Sequence, residues 1–125
     1  MPDQSLPPDW PTGVHPPWSD FFEQTALAWL FDHVPADYRQ HGVLRRHPLA
    51  LSRLARQYVS AALEAAREGY RTARLDLREH LPPHALDQVM KAYLEEGERT
   101  ASVLRSIEAV DAELRAAASG RSADA

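Results

Sequence analysis

Apolar positions recur every three or four residues through the second half of the chain, in two separate series. Val59, Leu63, Ala66, Tyr70, Ala73 and Leu77 make the first; Leu86, Met90, Tyr93, Gly97, Thr100, Leu104, Ile107 and Leu114 make the second. A four-three alternation sets such residues along one stripe of an α-helix, so each series predicts a helix with an apolar seam. Pro48 stands where helices start, Pro82 and Pro83 interrupt the pattern, and Ser119 and Gly120 close it. The spacing therefore predicts helices from 48 to about 80 and from about 84 to 118, with 119–125 a disordered polar tail. A tight Pro-Pro turn folds the two helices antiparallel, with facing residue numbers that sum to about 164. On that rule Leu77 faces Leu86, Tyr70 lies by Tyr93 or Leu94, Ala66 meets Gly97, Leu63 meets Ala101 and Leu54 lies by Val110. Gly97 opposite Ala66, with Gly69 close by, predicts backbones that approach closely at mid-hairpin.

The first half reads differently. Residues 1–17 hold Pro2, Pro7, Pro8, Pro11, Pro16 and Pro17, too many missing amide donors for helix or ladder, so this segment is expected to be an extended arm strapped down by Trp10. A shorter helix should follow from Trp18 or Ser19 to His33 or Val34, capped by Ser19 or Asp20, with Glu23 reaching back to Asp20 and Pro35 stopping it. Pro35 to Gly42 reads as a helical turn with Asp37 and Tyr38 in it, closed by Gly42 as a left-handed cap. The run Ala26-Leu-Ala-Trp-Leu-Phe31 is apolar on every side, and a helix without a polar face must be covered all round. Two other helices cannot do that alone. This predicts that a second copy covers Trp18, Phe22, Trp29, Leu30 and Phe31, making a homodimer. No period-2 alternation occurs. The expected fold is all-α: a long antiparallel hairpin with a shorter N-terminal apolar helix, a three-helix bundle over 18–118 that dimerises and carries a Pro-rich arm.

Composition bounds this reading without changing it. The chain has 125 residues and no cysteine, which fits one domain and removes disulfides, thiolate zinc sites and cysteine nucleophiles. Hydrophobic residues make up 44% and charged residues 26%, a profile that supports a packed core. The longest apolar run has six residues, far from the ~20 that cross a bilayer, and the N-terminus lacks a basic and an apolar signal region. A cytoplasmic protein with no membrane partner is expected. Thirteen Arg against one Lys, Lys91, point to a GC-rich bacterial genome.

Charge is placed unevenly within a formal total of −4. Residues 1–37 carry six acids and no Lys or Arg, whereas 38–63 carry five Arg and no acid. Either the acidic block folds across the basic one, or Arg39, His41, Arg45, Arg46, His47, Arg53 and Arg56 form an anion-binding patch for an acidic protein or nucleic acid. Arg53, Arg56, Arg67, Arg71, Arg74 and Arg78 also share one stripe beside the seam. Glu95, Glu96 and Glu98, level with Arg67 and Arg71, would make that stripe a salt-bridged flank. His80, His84 and Asp87 around the Pro-Pro turn are the candidate metal ligands, although the prolines break the helical register between the two histidines. His33, near Asp32, Asp37 and His41, is a second histidine group. No nucleophile elbow and no glycine-rich phosphate loop is present, so no cofactor is expected. The leading reading is a non-catalytic, self-associating helical module acting as adaptor or regulator. Anion binding through 39–56 and a metal-dependent enzyme centred on His80 and His84 are its alternatives.

Overall fold

The computed structural model describes the backbone of residues 5–124 and the side chains of 5–121. Residues 1–4 of the expected arm and Ala125 of the expected tail lie outside the described residues. The chain is all-helical, with no strand among the described residues. Helix α1 spans Phe22–Phe31, a 3₁₀ turn covers Ala36–Gln40, and α2 spans Gly42–Arg46. Two long helices then pack on each other, α3 over Pro48–Leu77 and α4 over Pro83–Asp124.

Proline starts both long helices. His47, held extended at φ −131° and ψ 90°, is the conformation that a following proline imposes, and Pro48 then opens α3 with no amide to leave unsatisfied. At the other end Leu77 accepts from the amides of His80 and Leu81, and Pro82 accepts from Leu86 to begin α4. The antiparallel register matches the seam. Ser52 meets Asp111, Ala66 faces Gly97, and Arg74 meets Asp87. Thr100, polar within the second seam, stays buried because its hydroxyl returns to the Glu96 carbonyl one turn back, at 2.8 Å.

Five local expectations fail. Helix α1 begins at Phe22 after Phe21, with no side-chain cap from Ser19 or Asp20. Helix α4 does not stop at Ser119 and Gly120 but continues to Asp124. Gly42 is not a left-handed cap. It begins α2, and no glycine among the described residues has a positive φ. The N-terminal segment is a series of turns rather than an extended arm: Trp10 donates to the Pro7 carbonyl, Val14 to Pro11 and Ser19 to Pro16. Pro8 and Asp9 are the central residues of the first turn, and Asp9 at φ 65° takes the left-handed position a type II turn needs after a proline. Glu23 does not close a capping box with Asp20. It accepts from Arg121 Nη1 at 2.6 Å instead, because the extended end of α4 reaches the start of α1.

The premise of the α1 dimer also fails. Phe22 is 3% exposed, Leu30 0% and Phe31 6%, and they sit in one buried cluster with Val14, Val34, Leu44, Leu51, Ala55, Val59, Ile107, Val110 and Leu114. A count of helices alone misses the coverage given by the turns. Trp10 stacks on Phe22 at 5.6 Å between ring centroids and donates its indole N–H to the Val14 carbonyl at 3.0 Å. The His15 amide donates to Thr25 Oγ1 at 2.9 Å. Of the five residues expected to self-associate, Trp18 is exposed, Trp29 is half-buried against His33, and the other three are inside the chain's own core.

That cluster fills only the base of the hairpin. Past Val59 on α3 and before Val103 on α4 the seam continues through Leu63, Ala66, Ala73 and Leu86, with no third helix packed along it among the described residues.

Candidate functional site

The residues singled out for anion binding are spread over three elements. Arg39 donates to Asp32 at 3.2 Å and lies 5.4 Å from the Phe31 ring centroid. Arg45 donates to the Arg39 carbonyl, and Arg56 stands 3.6 Å from Asp111. These three cations are thus met by the chain itself. His41 and His47 occupy the N-terminal flanks of α2 and α3, while Arg46 and Arg53 are exposed without an ion-pair partner among the described residues. The acidic and basic blocks do not fold across one another as wholes. Asp32–Arg39 is one link, but Asp9 meets Arg105 and Glu23 meets Arg121 on α4.

The tip residues do not converge on a metal. Among the described residues no group of three or more His, Asp or Glu is arranged to hold one. Asp87 accepts from Arg74 Nη2 at 2.8 Å, tying α4 to α3 across the tip. Nor do Glu95, Glu96 and Glu98 pair with the Arg stripe. Arg67 takes Glu64 and Arg71 takes Glu68 on their own helix, Arg99 takes Glu96, and Lys91 takes Glu95. Partners three or four residues apart lie on one helix surface and are reached without spanning the groove between helices.

Two features escaped the sequence reading. The first is Asp111, 3% exposed. It accepts from Ser52 Oγ at 2.6 Å and from Arg115 Nε at 2.7 Å, with Arg56 nearby. Its signal was available: position 111 falls between Ile107 and Leu114, where the four-three alternation calls for an apolar side chain. Ser52 is fully buried, so this hydroxyl–carboxylate pair is sealed from any substrate and serves to fix the register of α3 against α4.

The second is a cleft of about 270 Å³ between α1 and the hairpin, lined by His33, Tyr58, Arg99 and Thr100. Burial lowers the pKa of His33, Arg99 lowers it further, and Asp32 opposes both. Arg99 and Glu96 hold each other charged through their hydrogen bonds, which raise the one pKa and lower the other.

The broadest feature is the open face of the hairpin. At about 100° per residue, Tyr58, Ala62 and Gly69 fall on one side of the α3 seam and Arg67, Arg74 and Arg71 on the other. Helix α1 and its cleft occupy the Tyr58 side. The Arg side is uncovered among the described residues and holds a groove of about 360 Å³ whose lining includes Leu63, Tyr70, Leu94 and Ala101. Tyr70 is 47% and Leu94 50% exposed. Two further hollows are lined by residues of the same helices, one toward the base by Arg56, Leu104 and Glu108, the other toward the tip by Arg74, Arg78 and Leu86. Among the described residues Arg78, Glu98 and Glu108 have no ion-pair partner.

No known protein family, no curated protein and no solved structure matches this chain. No helix among the described residues is long and apolar enough to cross a membrane.

Proposed function

We propose that this chain is a non-catalytic, self-associating helical module that acts as an adaptor or regulator. On this reading the turns, α1 and the base of the hairpin form a three-helix bundle that holds the fold, and the projecting part of the hairpin is the docking element. The observation that carries it is the Arg-side face, open among the described residues, where Tyr70 and Leu94 stay about half exposed beside a groove. Apolar and aromatic surface left open within a groove favours docking against a second surface. The self-association expected from α1 is thereby transferred to the hairpin. Sedimentation velocity or light scattering at micromolar and hundred-micromolar concentration tests it: the expected result is a dimer that dissociates on dilution. A monomer across that range rules the reading out.

Anion binding is the second reading, supported by the exposed Arg46 and Arg53, which have no ion-pair partner among the described residues. Titration of labelled DNA at low and at high salt should give binding that weakens with salt; no binding at low salt removes this reading.

A further inference from the structure

We infer that the open hairpin face is occupied by a second copy of this chain, related by a two-fold axis parallel to the helices. Both tips then point the same way, and α3 of each copy lies on α4 of the other. This rests on the self-association reading and adds to it the face, the direction and the charged contacts.

The two edges of the groove carry opposite charge. The α3 edge presents Arg56, Arg67, Arg74 and Arg78, of which the first three also pair with Asp111, Glu64 and Asp87 of their own chain; the α4 edge presents Glu98 and Glu108, with Asp87 further along the same helix toward the tip. Lys91 and Arg105 on the α4 side are engaged by Glu95 and Asp9, and Glu64 on the α3 side by Arg67. The register set by Ser52 against Asp111 and Ala66 against Gly97 makes Arg56 level with Glu108, Arg67 with Glu98 and Arg78 with Asp87. Only Asp87 has a cross-helix partner, Arg74. The other acids face outward across the width of the groove from the arginines at their own height.

With the helices of the two copies kept aligned, two face-to-face arrangements have two-fold symmetry. An axis across the helices sets α3 on α3 and α4 on α4, so arginine meets arginine and acid meets acid. An axis along the helices sets α3 on α4 and preserves height, so each arginine meets the second copy's acid at its own level. Like-charge juxtaposition disfavours the first arrangement, and charge complementarity selects the second. Both copies use the same patch, as an isologous contact requires. From Arg56 to Arg78 the face is about 33 Å long and two helices, about 20 Å, wide, close to the ~800 Å² per partner of a stable interface.

The test uses the full chain with Arg67→Glu and Glu98→Arg, two exposed positions, with circular dichroism verifying that helicity is unchanged. Each variant alone places like charges at two symmetric contacts and should dimerise about tenfold more weakly. An equimolar mixture of the two should regain wild-type affinity, because the reversed side chains then meet opposite charges at both contacts. A spin label on His80→Cys, the only thiol in the chain, should give a tip-to-tip distance under about 25 Å, against roughly 40 Å for the opposed arrangement. A monomer overturns both this inference and the self-association reading. A dimer that is indifferent to both reversals, that fails to recover on mixing, or whose labels lie far apart overturns the inference alone.

Discussion

Gly69 and Gly97 show how much depends on what a single side chain meets. A Cβ built on Gly69 would lie 2.1 Å from Tyr93 Cε1, whereas one on Gly97 would meet the Ala66 methyl at 4.0 Å. The glycine that matters is therefore the one that makes room for an aromatic ring, not the one facing the small residue across the seam. Gly69→Ala should destabilise the chain by ~1–3 kcal/mol in urea denaturation, through displacement of the ring. Gly97→Ala should be neutral or stabilise by up to ~1 kcal/mol, because an interior helical glycine costs about that much relative to alanine. His33 belongs at the same scale. Its folded pKa lies below the ordinary 6.5 through burial, then the Arg99 charge, so the fold favours the neutral ring. The associated stability is complete above 6.5 and is lost as pH falls from there through the folded value. Urea midpoints measured across that window should drop for the wild type, and the part of the drop due to this ring should be absent in His33→Gln.

At the scale of elements, the hairpin is held unevenly along its length. Its base is covered by α1 and the N-terminal turns, and its projecting half keeps only a narrow seam. Amides of 63–77 and 86–100 should consequently exchange faster in dilute solution than those of 51–59 and 103–114, by hydrogen exchange followed residue by residue. Raising the concentration should slow the fast set if that half is where copies meet. Register at the base depends on the buried Ser52–Asp111 bond. Hydrogen bonds to charged groups contribute ~1.5–3 kcal/mol, so Ser52→Ala should lower the denaturation midpoint by about that free energy. Seam and proline positions made α3 and α4 legible in the sequence to within a few residues at most ends. The end of α4 was not, since Ser119 and Gly120 are weak breakers in a helix whose Arg121 is tied to Glu23.

At the scale of the whole molecule, the charge blocks and the apolar α1 led to two inferences, and both changed once the chain was folded. Three acids of the first block, Asp32, Asp9 and Glu23, pair with Arg39, Arg105 and Arg121, and the apolar core side chains of α1 are buried by its own chain. The arginine-edged groove stays open among the described residues. Leu94→Asp, at a half-exposed position, should leave the monomer folded and weaken self-association tenfold or more, since it removes apolar area from the middle of the face. For the wild type the thermal midpoint should rise with concentration, because a dimer binds only the native state, and in Leu94→Asp it should not.

By itself the sequence determined the all-helical class, both long helices and their antiparallel register, because spacing and proline act over one or two turns of chain. The tertiary structure decided which apolar surfaces remain open and which ions pair. Those outcomes depend on segments far apart in sequence: Trp10 upon Phe22, Arg121 upon Glu23, Asp111 upon Ser52. Burial is a property of everything that surrounds a residue, and periodicity records only the face on which it sits.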